Sequence, residues 1–108
     1  MDKKQIVNLI KEIIPIIKDQ ISLDYLVLFG SHAKGTFSET SDIDIAIISK
    51  DIPKEIINEK TLKVFSKIRD VNLDIEPHFV RMDRWNNANE GSFIDTIKKT
   101  GNIIYSGD

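Results

Sequence analysis

The 108-residue sequence has no cysteine. Disulfides and thiolate metal centres are therefore excluded, and a reducing compartment suits the chain. It is not rich in charge of either sign: 15 Lys and Arg stand against 17 Asp and Glu, a formal net charge of -2. A broad nucleic-acid-binding surface leaves a basic excess, so no direct nucleic-acid partner is expected. Long apolar runs are also missing. The N-terminal stretch MDKKQIVNLIKEIIPIIKDQ is broken by Lys11, Glu12 and Lys18. It has neither an unbroken membrane span nor the small-residue cleavage site of a signal peptide, so a soluble, cytoplasmic protein with no membrane contact is expected. No repeat, low-complexity tract or linker divides the chain, which reads as one domain over residues 1–108.

What is present is ordered by period. The hydrophobic share is 41% and the charged share 30%, an ordinary globular balance. Ile6, Leu9, Ile10, Ile13, Ile14 and Ile17 recur at spacings of three and four, which predicts an amphipathic helix. Pro15 should kink or shorten it. Any surplus of that apolar stripe offers a surface for a homo-oligomer. Tyr25-Leu26-Val27-Leu28-Phe29 is a buried strand stopped by Gly30. From Gly30 to Ser41 the residues are small and polar, as in a long functional loop. Asp42 to Ile48 alternates, with Ile43, Ile45 and Ile47 on one face and Asp42, Asp44, Ala46 and Ile48 on the other, so it is a strand.

Pro53 is expected to open a second helix running to about Arg69, with Ile56, Ile57, Val64, Phe65 and Ile68 as its apolar members. Asn72 to Val80 reads as a third strand, with Leu73, Ile75 and Phe79 opposite Asn72, Asp74, Glu76 and His78. Pro77 makes it an edge strand or a strand end. Ser92 caps a last helix that carries Phe93, Ile94 and Ile97 and stops at Gly101. Ile103-Ile104-Tyr105 adds a short closing strand.

Two aspartates one residue apart on a strand point the same way. Asp42 and Asp44 therefore converge, and like charges so close call for a cation or a proton between them. Hard carboxylate oxygens suit Mg²⁺, which shares its other positions with water and phosphate. A lone DxD is weak evidence, but here a glycine and a serine directly follow the preceding buried strand. Glycine lets backbone approach a ligand, and a serine hydroxyl can bond a phosphate oxygen.

Gly30-Ser31, ten residues, then Asp42-Ile43-Asp44 resembles the GSx10DxD signature of the polymerase-beta-like nucleotidyltransferase superfamily. The segment LFGSHAKGTFSETSDIDIAI resembles its minimal nucleotidyltransferases in particular, and the likeness extends over most of the chain. The resemblance implies an α/β (α+β) fold, a small mixed β-sheet flanked by helices. It implies that Gly30 and Ser31 contact a triphosphate, with Lys34 and Ser41 as further nucleotide-side residues, and that Asp42 and Asp44 ligate two Mg²⁺ ions, or Mn²⁺, in an in-line displacement on ATP. A third carboxylate completes such sites: Glu76 is preferred and Asp74 is the alternative. His32 and Lys34 stand where the family often has arginines, and His32 is the weaker substitute. His78 reads most simply as an edge-strand histidine, and Trp85 as a side chain packed on the sheet.

So small a chain leaves little room for its own acceptor pocket. Minimal nucleotidyltransferases of this size resemble the antitoxin half of HEPN/MNT toxin–antitoxin pairs. That implies AMP transfer to a tyrosine of a HEPN ribonuclease toxin. The competing readings are a non-catalytic partner that neutralises such a toxin by contact, and a small-molecule nucleotidyltransferase.

Overall fold

The computed structural model describes residues 2–34 and 42–107, except for the side chain of Lys34. Its elements are α1 (Lys3–Lys18), β1 (Tyr25–Phe29), α2 (Ser31–Lys34), β2 (Ile43–Ser49), α3 (Glu59–Val71), β3 (Ile75–Arg81), α4 (Met82–Asn86), α5 (Phe93–Thr100) and β4 (Asn102–Ser106). The strands form one mixed sheet in the order β3-β2-β1-β4. β1 runs antiparallel to β2 and to β4, while β2 and β3 are parallel. A parallel pair needs a crossover, and α3 supplies it. The expected mixed sheet flanked by helices is present.

Period two along the strands splits the interior in two. Leu26, Leu28, Ile43, Ile45, Ile47 and Ile75 face Ile6, Ile10, Ile13 and Ile17 of α1 and Val64 and Ile68 of α3. On the opposite face Val27, Phe29, Ala46, Ile48 and Val80 pack against Trp85 of α4 and Ile97 of α5. Fully burying each aliphatic side chain contributes roughly 1.5–3 kcal/mol, so the buried isoleucines of α1 hold it firmly to the sheet. Among the described residues, no helix is long and apolar enough to cross a membrane.

Several expected boundaries move. Pro15 does not end α1, which continues to Lys18. Pro15 and Lys11 both lie on the exposed side, where water can satisfy the Lys11 carbonyl that loses its partner, while Ile13 and Ile17 anchor the last turn. The second helix begins at Glu59, not at Pro53. Asn58 caps it, its side chain accepting from the N–H groups of Lys60 and Thr61, and the Thr61 hydroxyl accepts in return from the Asn58 N–H. That reciprocal cap outweighs the proline as a start signal. Ile56 and Ile57 thus fall outside the helix, and Ile57 is exposed.

The third strand starts at Ile75 instead of Asn72, and Leu73 is an exposed turn residue. β3 is the sheet edge, as Pro77 implied. The Ile43 N–H donates to the Asp74 carbonyl at 2.8 Å, and Ile43 pairs with Ile75. In a parallel ladder this register turns the backbone groups of Glu76 and His78 toward β2 and those of Ile75, Pro77 and Phe79 outward. Pro77 therefore lacks only a donor that would face away from the sheet. The last helix begins after its Ser92 cap and stops at Gly101, and β4 closes the sheet, both as expected.

Candidate active site

The site gathers where β1 ends and β2 and β3 begin. Phe29 is opposite Asp44 on one side, and Glu76 is opposite Asp44 on the other. Directly opposite residues share a face, so the side chains of Phe29, Asp44 and Glu76 all leave the sheet on the side of α4 and α5. Gly30 follows at φ 75, a left-handed conformation that favours glycine. A Cβ there would lie 2.6 Å from Asp44 Oδ2. The bare glycine is what lets the backbone lie against this carboxylate.

The stretch after Gly30 is not all loop. Ser31 to Lys34 form one helical turn, α2. His32 is buried at 6% exposure, and Ala33 packs on the core shared with α1 and α3. Ser41 and the Lys34 side chain, both expected on the nucleotide side, lie outside the described residues.

Asp42 is exposed and directly precedes β2, and Asp74 directly precedes β3. Strand parity gives Asp42 the face of Asp44. Asp74 is exposed, and its backbone rather than its carboxylate makes the link to β2. The Glu76 carboxylate accepts from Arg69 of α3 at 2.9 Å, a half-exposed ion pair. Among the described residues, no three His, Asp or Glu side chains form a group that could hold a metal ion. The register thus brings Glu76 beside Asp44, while its head group is engaged elsewhere.

His78, read from the sequence as an edge-strand histidine, is on the edge strand β3 and also reaches Asp44. Its Nε2 lies 3.3 Å from Asp44 Oδ1, and an ionised carboxylate can only accept in that contact. The imidazole meets the Phe29 ring edge-on at 5.1 Å, and the largely exposed Phe93 closes the group at 5.7 Å from Phe29. The signal was available: His78 has the parity of Glu76, two residues along the same strand. Trp85 is packed as expected, 6% exposed with its ring 5.8 Å from that of Tyr25.

Residues 11–108 match the family described as polymerase beta, nucleotidyltransferase. The chain belongs to this family. Gly30, Ser31, Asp42 and Asp44 of this nucleotidyltransferase domain all lie within the matched range. A Methanocaldococcus jannaschii protein, provisionally named a protein adenylyltransferase, is 39% identical over 67 residues, covering 58% of this chain and 66% of its own length. The chain therefore spans just under two thirds of that relative. Among solved structures, a provisionally named nucleotidyltransferase of Sulfolobus solfataricus superposes with TM-score 0.68 at 20% identity, over 96% of this chain and 83% of its own. A chain from the structure of a tri-AMPylated Shewanella oneidensis HEPN toxin in complex with MNT antitoxin superposes with TM-score 0.57 at 19% identity, over 97% of this chain and 73% of its own. At such identities the two superpositions establish the shared fold.

Hard carboxylate oxygen is the donor type that suits a divalent cation, and Asp42, Asp44 and Glu76 all offer it, Asp44 with one oxygen against the Gly30 backbone.

Proposed function

We propose that this nucleotidyltransferase transfers AMP from ATP to a hydroxyl of a protein acceptor. Asp42, Asp44 and Glu76 hold Mg²⁺, and Gly30, Ser31, Lys34 and Ser41 attend the triphosphate. The observation that carries the proposal is the approach of Gly30 to Asp44: a Cβ at 2.6 Å is incompatible with the carboxylate where it stands, so only a glycine lets the turn backbone stand directly against it. A bound divalent cation supplies charge stabilisation to the departing pyrophosphate. The acceptor oxygen bonds to the α-phosphorus, the bond to the bridging oxygen of pyrophosphate breaks, and the hydroxyl proton is lost to solvent. Asp44 keeps its orientation through His78, and the Gly30 turn keeps the phosphates on the β1 side.

The name of the M. jannaschii relative supports a protein acceptor, and the toxin–antitoxin likeness supports a HEPN-domain toxin, while the tyrosine is what the family resemblance implies. In that role the chain is an antitoxin. A second reading, neutralisation by contact alone, is favoured by one observation: the Arg69–Glu76 ion pair, which draws the third carboxylate off the site.

One experiment separates the two. Labelled ATP is supplied to the protein with a HEPN toxin, and transfer and neutralisation are both followed. Under the catalytic reading, Asp44→Asn lowers transfer by at least ~10²-fold, Glu76→Gln does more damage than Asp74→Asn, and EDTA stops the reaction. Undiminished transfer in EDTA would remove the metal mechanism. Intact neutralisation by the Asp42→Asn, Asp44→Asn double variant would leave contact as the mode of action.

A further inference from the structure

Two pockets flank the outer edge of β3, one on each face of the sheet. The first, about 260 Å³, lies on the α3 side, and its lining includes Ile57, Leu62, Phe65 and Pro77. The second, about 340 Å³, lies on the side of α4 and α5, and its lining includes Lys54, His78, Arg84 and Phe93. Ile56 and Phe79 line both, so the pockets meet at the edge itself. We propose that this edge docks an extended segment of a partner protein, which adds to the sheet beside β3 and carries apolar side chains alternating with acidic ones. Docking there is separate from nucleotidyl transfer and stands whether or not transfer occurs.

The backbone of the edge is open only in part. Ile75, Pro77 and Phe79 turn their peptide groups away from β2. Those of Ile75 are served within the chain: its N–H donates to the Asn72 carbonyl at 3.2 Å, and its carbonyl accepts from Arg69 at 3.4 Å. Pro77 has no N–H to give, which keeps a long strand from pairing along the whole edge. The Pro77 carbonyl and both groups of Phe79 remain, and no hydrogen bond among the described residues reaches them from outside the sheet. A short parallel strand can use all three. One incoming residue donates to Pro77 and accepts from Phe79, and the residue two further on donates to Phe79. That register sets both bonded residues on the His78 face and the residue between them on the Phe79 face.

The two faces differ in chemistry. Toward α3 the added strand meets an apolar wall in which Ile57 is 73% and Leu62 55% exposed, so an apolar side chain there removes hydrocarbon from water. Toward α4 and α5 it meets a cationic one. Lys54, Arg81 and Arg84 are the ionised groups of that lining, and Asp83 balances Arg81 at 2.7 Å. Lys54 and Arg84 are left to attract carboxylates on the incoming segment. Main-chain bonds to an edge give affinity and pockets for alternate side chains give selectivity, the mode of recognition by strand addition.

Three peptides of equal length distinguish this from other occupants: leucine alternating with glutamate, leucine alternating with lysine, and the first composition rearranged to helical spacing. Binding is measured calorimetrically, and hydrogen exchange of the Phe79 amide is followed by NMR. The alternating glutamate peptide should bind and slow that exchange by at least ~10-fold at saturation, and the other two should do neither. Leu62→Glu should weaken the glutamate peptide by roughly tenfold, and Arg84→Glu should weaken it as much while admitting the lysine peptide. Both side chains are exposed, and an unchanged urea midpoint checks that the variants fold. Equal binding of the rearranged peptide would assign the surface to a helix and overturn the proposal. Equal binding of the lysine and glutamate peptides would overturn it as well. So would failure of the alternating glutamate peptide to bind, or binding that leaves Phe79 exchange unchanged.

Discussion

Gly30→Ala tests the site through two separable effects. The first is conformational: φ is 75, and an L-residue with a Cβ pays roughly 1–2 kcal/mol to stand in the left-handed region. The second is a collision. The new methyl would lie 2.6 Å from Asp44 Oδ2, where ordinary contact begins near 3.4 Å, so the carboxylate or the turn must retreat by about 0.8 Å. A misplacement near 1 Å at a reacting centre can reduce rate by ~10²-fold. Gly91 supplies the control, because its φ is 80 and an added Cβ meets nothing within 4 Å. Gly91→Ala should lose about 1–2 kcal/mol in urea denaturation, and Gly30→Ala at least as much. Only Gly30→Ala should also weaken Mn²⁺ binding, measured calorimetrically, and cut nucleotidyl transfer by roughly two orders of magnitude. Wild-type Mn²⁺ affinity and transfer in Gly30→Ala would refute the claim that this glycine exists to clear Asp44.

Two further outcomes concern the frame around the site. Trp85→Ala removes a nearly buried ring that packs on Tyr25 and lies under the Lys98 ammonium at 5.3 Å, while Lys98 also donates to the Trp85 carbonyl at 2.9 Å. A loss of about 3–5 kcal/mol is expected in urea denaturation, and a loss below ~1 kcal/mol would contradict the packing described. The Ser22 backbone N–H donates to Asp51 at 2.8 Å, which with the Ser22 side chain holds the carboxyl below its ordinary 3.8. A depressed folded-state value gives stability that is present above the unfolded value and is lost as pH falls through the folded one. The stability difference between wild type and Asp51→Asn should therefore be flat from about pH 7 to 5 and shrink below about pH 4, staying under ~1 kcal/mol because the group is exposed. A difference that grows toward acid would reverse the sign and refute it.

Features with a strong local period were legible in the sequence. The isoleucine spacing placed α1, the alternation from Ile43 placed β2, and Pro77 marked β3 as the edge because an outward donor can be lost without harm. Ser92 and Gly101 marked both ends of α5. Competing local signals produced the errors. Pro53 looked like a helix start, yet the Asn58–Thr61 cap is a reciprocal pair of hydrogen bonds and sets the boundary. The Gly30 stretch looked like loop because Ser31 and Lys34 are polar, while the burial of His32 depends on tertiary packing that no window around it reveals. The proximity of His78 to Asp44 depends on the register between β2 and β3, which are separated in sequence by α3. Strand parity alone identified the face but not the neighbour.

The same register sets Asp44 against Glu76 and supplies each with a partner. Asp44 and Glu76 are directly opposite on adjacent strands, a placement in which like charges repel. Each has its own donor: His78 meets Asp44 at 3.3 Å, and Arg69 meets Glu76 at 2.9 Å. His78 comes from the same strand as Glu76, while Arg69 comes from the crossover helix that a parallel pair requires. The fold that creates the repulsion therefore also supplies its relief. Arg69 is tethered at the far edge of β3, where it also reaches the outward Ile75 carbonyl at 3.4 Å, so it draws Glu76 away from Asp44. His78 instead holds Asp44 by one oxygen and leaves the other beside Gly30. Under the proposed metal mechanism, Glu76 would exchange one half-exposed ion pair for another, a replacement that surface screening keeps small in energy.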